Sequence, residues 1–295
     1  MKYFLITIIL LVSVNLFSQQ DTLYFPVTHH IITLDNGTGG QDAALIPLIM
    51  YELNNAFAPA GIQFYMSCVG IDTIKNTTKT SIDLRNGVYT DRDYLTNIAS
   101  VPNTINIFYP HIIYYGSSSA IGVATFPWAS DDYITVVRTQ SIYNFGTFDN
   151  FIKEFSHHIH EMGHYFGLQH TFLNYNNSWA EHPTDRIYCA TRGDSLCDTP
   201  ADIEVSRTFG YYENYTDSNN CSLCNLLLDS FYYSPNGWWY KPDLKNYMNY
   251  ASVYCREYFS DQQNTKMRNM ATNRTKLINK IGNPNYVTLK TIKIG

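Results

Sequence analysis

Charge is what this sequence has least of. Only 15% of its 295 residues are Asp, Glu, Lys or Arg, and the net charge of −5 includes no basic cluster. That excludes nucleic acid and anionic membrane as partners, because both are held by clustered Lys and Arg. Long hydrophobic runs are also missing. The longest, residues 4–17 (FLITIILLVSVNLF), falls short of the ~18–20 apolar residues that span a bilayer, so no transmembrane helix is expected. No cysteine follows that run to carry a lipid anchor, and there is no internal repeat or low-complexity linker.

What is present fits export. Lys2, the short apolar core and the small-residue site at Ser18-Gln19-Gln20 read as a secretory signal over residues 1–20. The mature protein is then secreted and soluble, with a surface polar through its 25 Tyr and its Asn, Ser and Thr. Six cysteines in an exported chain favour disulfides over thiol chemistry.

Periodicity gives an α/β layout. Residues 23–34 (LYFPVTHHIITL) alternate and are β-branched, which predicts a strand in which His29 and His30 are structural. Residues 41–58 are helical, with Leu45, Leu48, Ile49, Leu53 and Phe57 on one face, and Pro59-Ala-Gly61 stops them. Strands follow at 62–69, 105–109 and 133–138, with a short helix near 91–99 and a Gly/Ser-rich approach at 116–130 closed by Pro127. Helices alternating with strands predict a twisted sheet backed by helices.

The informative stretch is HHIHEMGHYFGLQHT (157–171). Ile152, Phe155, Ile159, Met162 and Phe166 make one apolar stripe at helical period, with Asp149 or Asn150 as candidate caps. On that helix His160 and His164, four residues apart, stack on one face with Glu161 between them in sequence. Two imidazoles for a Zn²⁺ and a carboxylate beside its open position is the H-E-x-x-H chemistry. Gly167 can end the helix in a left-handed turn that brings back His170 as third ligand. Three imidazoles and an open fourth position make a catalytic rather than a structural zinc shell. His157 and His158 are read as facing solvent or lying behind the ligands.

Beyond His170 the chain is irregular and stapled. Cys189 and Cys197 bracket a short loop, while Cys221, Cys224 and Cys255 leave a choice of partner in which Cys68 also competes. A second zinc site at Cys221-x-x-Cys224 is disfavoured, since no further Cys/His pair follows at suitable spacing. A last helix from about 261 starts with a Ser260/Gln263 capping box, presents Met267, Met270, Leu277 and Ile281 to the core, and ends at Gly282-Asn-Pro284.

Four segments together carry a family resemblance: HEMGHYFGLQHTF (160–172), GDSLCDTPAD (193–202), NYMNY (246–250) and CREYFSDQQNTKMR (255–268). The chain resembles the pappalysin-type metzincin metallopeptidases, the secreted group that includes ulilysin-like enzymes. The resemblance implies a two-lobed α/β (α+β) catalytic domain with a twisted, mostly parallel sheet. The upper lobe would be 21–167 with the zinc helix, the lower lobe 168–283, and the tail 284–295. It implies a methionine turn at Met248 forming an apolar floor for the metal, and Cys255 paired with Cys221 or Cys224. It also implies an edge strand within 121–127 that binds extended peptide, and Tyr250 turned towards the metal to assist an oxyanion. Some relatives bind Ca²⁺, for which Asp194 and Asp198 are candidate ligands, although loop caps or salt bridges account for them equally well. Two departures stand out. The first core strand follows the signal so closely that no long inhibitory propeptide is expected. Ala251-Ser-Val-Tyr254 holds no acid, so a neutral or apolar residue after the cut is expected where some relatives take arginine.

The expected activity is a secreted zinc endopeptidase with Glu161 as general base. Its partners would be protein or peptide substrates in extended form, with neither nucleic acid nor membrane and the chain a monomer. The alternative is a non-catalytic protein that keeps the metzincin fold for binding or adhesion. Loss of the glutamate or of a histidine would mark it, and all four residues are present.

Overall fold

The computed structural model describes residues 21–85, 90–139, 152–173, 181–184, 186–202, 232–233 and 237–284. The signal segment, the candidate caps Asp149 and Asn150, and Cys221 and Cys224 lie outside them.

The sheet grows from β1 (Leu23–Thr33), a strand buried along nearly its whole length. Alternate side chains go to opposite faces, so β1 feeds two cores at once. Phe25, Val27 and Ile31 join Ile49, Leu53 and Phe57 of α1 (Ile46–Phe57) in the main core. Ile32 joins Ile82, Leu84, Phe108 and Ile113 in a smaller core behind the sheet. The two consecutive histidines follow the same alternation. His29 Nδ1 lies 2.8 Å from the Tyr109 hydroxyl, and His30 lies between Asn106 Oδ1 (2.8 Å) and Asp72 Oδ2 (3.1 Å). Both are structural, as their spacing suggests.

Gly61, left-handed at φ 64°, turns α1 into β2 (Ile62–Lys75). β2 runs six residues beyond the expected end at Val69. A bulge absorbs the extra chain: the register with β1 jumps between Val27 and His29, whose partners are Met66 and Ile71. A minor sheet forms from β3 (Ser81–Asp83), β5 (Ile112–Tyr115) and β6 (Ser118–Ala120), and α2 (Thr90–Asp93) continues into a π-helical turn through Ile98. β4 (Ile105–Tyr109), β7 (Gly122–Ala124) and β8 (Ile134–Val136) complete the main sheet in the order β2-β1-β4-β8-β7. All its neighbours are parallel except β7, which pairs antiparallel with β8 and forms the edge.

Against the main core packs α3 (Ser156–Tyr165), shorter than the stripe that predicted it but burying the same Phe155, Ile159, Met162 and Phe166. After the short strands β9 (Tyr232–Tyr233) and β10 (Trp239–Tyr240), α4 (Asp261–Asn273) closes the chain's other side. Ser260 and Gln263 form the expected capping box, and Asp198 adds to it by accepting from the Gln262 amide at 2.7 Å. Replacing Ser260 by alanine is expected to cost about 1–2 kcal/mol, read as a lower midpoint in urea unfolding at unchanged slope. The final helix is not continuous: Arg274 takes an extended conformation before α5 (Thr275–Ile278). That break rotates the downstream face, so Leu277 is buried while Ile281, expected in the core, is exposed.

Candidate metal centre

α3 presents His160 and His164 on one face, as their spacing requires, and Phe166 and Gly167 then end the helix. Gly167 has φ 90°, and the Gly167 amide donates to the His164 carbonyl at 2.8 Å. A side chain there would be strained and would also meet Met270. The turn does two jobs. It brings the Leu168 carbonyl within 2.8 Å of His164 Nδ1, and it returns His170 to the face it left. His160 Nδ1 is fixed in the same way by the Tyr247 carbonyl at 2.7 Å.

These carbonyls fix the tautomers. A carbonyl only accepts, so both Nδ1 atoms carry the proton and both Nε2 atoms present lone pairs. His170 Nε2 lies 3.2 Å from His160 Nε2 and 2.9 Å from His164 Nε2. One ring proton on His170 cannot serve both contacts, whereas a cation serves all three nitrogens. Tetrahedral zinc at ~2.0–2.1 Å from each would separate them by about 3.4 Å, so His170 needs to draw back by about 0.5 Å or less from each of the other two to admit it. Among the described residues this is the one group of three or more metal-ligating side chains. Burial keeps the imidazoles neutral: it pulls His164 down to about 4 and puts His160 and His170 well below their ordinary value. The residues fit zinc.

Glu161 sits beside the trio, 7% exposed. Burial pushes its carboxyl up to about 8, and the buried guanidinium of Arg256 pulls the other way. Met248 is fully buried beneath α3, with its sulfur where a side chain at Gly163 would fall. Its turn is built by Asn246, whose Oδ1 accepts from the Met248 amide at 2.9 Å and whose amide pairs reciprocally with Gln263. Tyr250 lies with its ring 4.6 Å from that of His170 and 5.7 Å from that of His160. On the other flank Phe126 meets the His164 ring edge-on and stacks on Trp128. The structure thus gathers His160, Glu161, His164, His170, Met248 and Tyr250 in one place.

The acidic candidates lie elsewhere and are engaged by the chain itself. Asp198 caps α4, as above. Asp194 is buried, accepts from the Leu196 amide and the Thr199 hydroxyl, and is raised by burial to about 7. Cys189 and Cys197 are bonded, Cys255 is in a disulfide whose partner lies outside the described residues, and Cys68 is free and exposed. His157 and His158 correct part of their reading. His157 is partly exposed beside Glu154, whereas His158 is buried between Phe155 and Tyr109, on the sheet side of α3. Sequence reasoning gave no role to Asp202, which bridges Thr171 and Asn249, or to Arg256, which donates to the Ala251 carbonyl at 2.9 Å.

A family profile described as pregnancy-associated plasma protein-A, peptidase family M43, matches residues 90–272. The chain belongs to this family. Extracellular metalloproteases of the fungi Pyricularia oryzae and Colletotrichum graminicola are 27% and 26% identical to it. The first alignment covers 87% of this chain and 77% of its relative, the second 82% and 74%. The fold matches mirolysin in complex with compound 9 (TM-score 0.55, 16% identity, 89% of this chain and 97% of that one). It also matches Tannerella forsythia mature mirolysin in complex with a cleaved peptide (TM-score 0.54, 17% identity, 89% and 96%). This M43 peptidase is therefore a zinc metalloendopeptidase with a mixed α/β, metzincin-type fold.

Proposed function

We propose that this M43 peptidase is a secreted enzyme that cuts extended peptides laid along the edge of β7, with Glu161 as general base. The observation that carries the reading is the convergence of three imidazole Nε2 atoms beside a buried carboxyl group. Secretion is supported by the reading of residues 1–20 and by the extracellular relatives.

His160, His164 and His170 would hold a zinc ion, which would supply Lewis acidity enough to bring the pKa of water from about 15.7 towards ~7. The chain does the rest. The Tyr247 and Leu168 carbonyls hold two imidazoles in the tautomer that offers Nε2. Glu161 takes a proton from the attacking water on its carboxylate and returns it to the departing amine. β7 is a three-residue edge strand, and its outer backbone groups can pair with a peptide in extended form, which aligns the scissile bond. The cleft would then lie between an upper lobe, 21–167, and a lower lobe, 168–283. Met248 would support the ligands from below, and Tyr250, packed on two of them, would assist at the substrate oxygen.

The test is cleavage of a mixed peptide library by protein lacking residues 1–20, with and without a zinc chelator, followed by sequencing of the new ends. Chelator-sensitive cuts followed by neutral or apolar residues are expected. A folded, zinc-loaded sample that leaves the library intact would return weight to a non-catalytic binding protein.

A further inference from the structure

We propose that Gly122 is a positioning residue for Glu161: the edge strand carries glycine there because the carboxylate occupies the space of its missing side chain. The inference rests on the reading of Glu161 as general base. A carbon at the Cβ position of residue 122 would lie 2.5 Å from Glu161 Oε1, 2.6 Å from Cγ and 2.7 Å from Cδ. Non-bonded carbon contacts settle near ~3.5–4.0 Å, so all three distances are prohibitive. The backbone itself makes no demand for glycine, since Gly122 lies in a strand and is not left-handed. Space alone selects it.

What must give is therefore the glutamate. It rises from α3, whose place is fixed by the core beneath, and it is 7% exposed, so it has little open volume to turn into. β7 is held in turn by its antiparallel register with β8, Gly122 opposite Val136. The two elements approach until only a hydrogen atom separates the strand from the carboxylate. A functional group must be held within ~0.5 Å of its productive place, and about 1 Å of misplacement costs about 10²-fold. A methyl group at residue 122 forces a shift of that size, while His160 and His164 keep their carbonyl supports.

The experiment is a cycle of four proteins: wild type, Gly122→Ala, Glu161→Ala and the double variant. Zinc content and thermal midpoint are measured for all four, with kcat and KM for the first two. Gly122→Ala is expected to retain zinc, lower kcat by about 10²-fold or more and leave KM within about threefold. It should lower the thermal midpoint when Glu161 is present and leave it unchanged in the Glu161→Ala background. A kcat within about threefold of wild type, or equal thermal losses in both backgrounds, would overturn the proposal. Should Gly122→Ala fail to fold, a folded double variant supports the contact and an unfolded one refutes it. The thermal cycle needs no turnover, so a wild type without hydrolytic activity would count against the peptidase reading and not against this contact.

Discussion

Glu161→Gln is expected to lower kcat by about 10³-fold while the protein keeps its full complement of zinc. Glutamine preserves the volume beside the three imidazoles and removes only the ability to accept and return a proton, a function worth ~10²–10⁴-fold. Metal affinity should survive because the converging atoms are the three Nε2 nitrogens, and His160 and His164 take their Nδ1 supports from the Tyr247 and Leu168 carbonyls. KM should change little if the carboxylate acts on the water and not on the peptide. The zinc-free protein should become no less stable, since burial already works against the charged form of Glu161. Steady-state kinetics beside metal analysis decides it. Full zinc with kcat within tenfold of wild type would remove Glu161 from the proton transfer, and loss of zinc would mean that the carboxylate helps hold the metal.

That the ligand set could be read from the sequence follows from how local it is. His160 to His170 spans one helix and one turn, so a period of 3.6 residues and one left-handed glycine determine the whole arrangement. The capping box at Ser260 was legible for the same reason. Met248 and Tyr250 were different: nothing in their spacing points at a metal, and they were placed only through the family's motifs. Asp198 shows where residue chemistry runs out, because the oxygens that suit Ca²⁺ equally suit a helix N-terminus, and the chain uses them for the latter. Ile281 shows periodicity running out, because the apolar stripe continues in sequence through a break in the helix at Arg274. Gly122 and Glu161 are distant in sequence, and a glycine offers no side chain to signal what it leaves room for. Such a contact exists only once α3 and β7 are docked.

Stability is expected to fall as the pH drops from about 6.5 towards about 3, with His29 a principal cause. The side chain is fully buried, its Nδ1 contacts the Tyr109 hydroxyl and its Nε2 has no partner among the described residues. Burial, with His158 facing it from α3 and His30 beside it on β1, holds His29 near 3 against an ordinary 6.5. Tyr109 offers no countercharge, because burial keeps its phenol protonated. Below 6.5 the unfolded chain therefore takes up a proton that the native state refuses, so this contribution is complete above 6.5 and is lost as the pH falls towards 3. Its size is on the order of 5 kcal/mol. Thermal midpoints of wild type and His29→Gln, compared between about pH 7 and about pH 4, test it. The variant starts lower, having lost a fitted ring, but its curve should be flatter; parallel curves would clear His29. Protonation of His157, His158 and the three metal ligands adds to acid loss in both proteins, so the difference between the two slopes reports the buried histidine on β1 together with its coupling to His158.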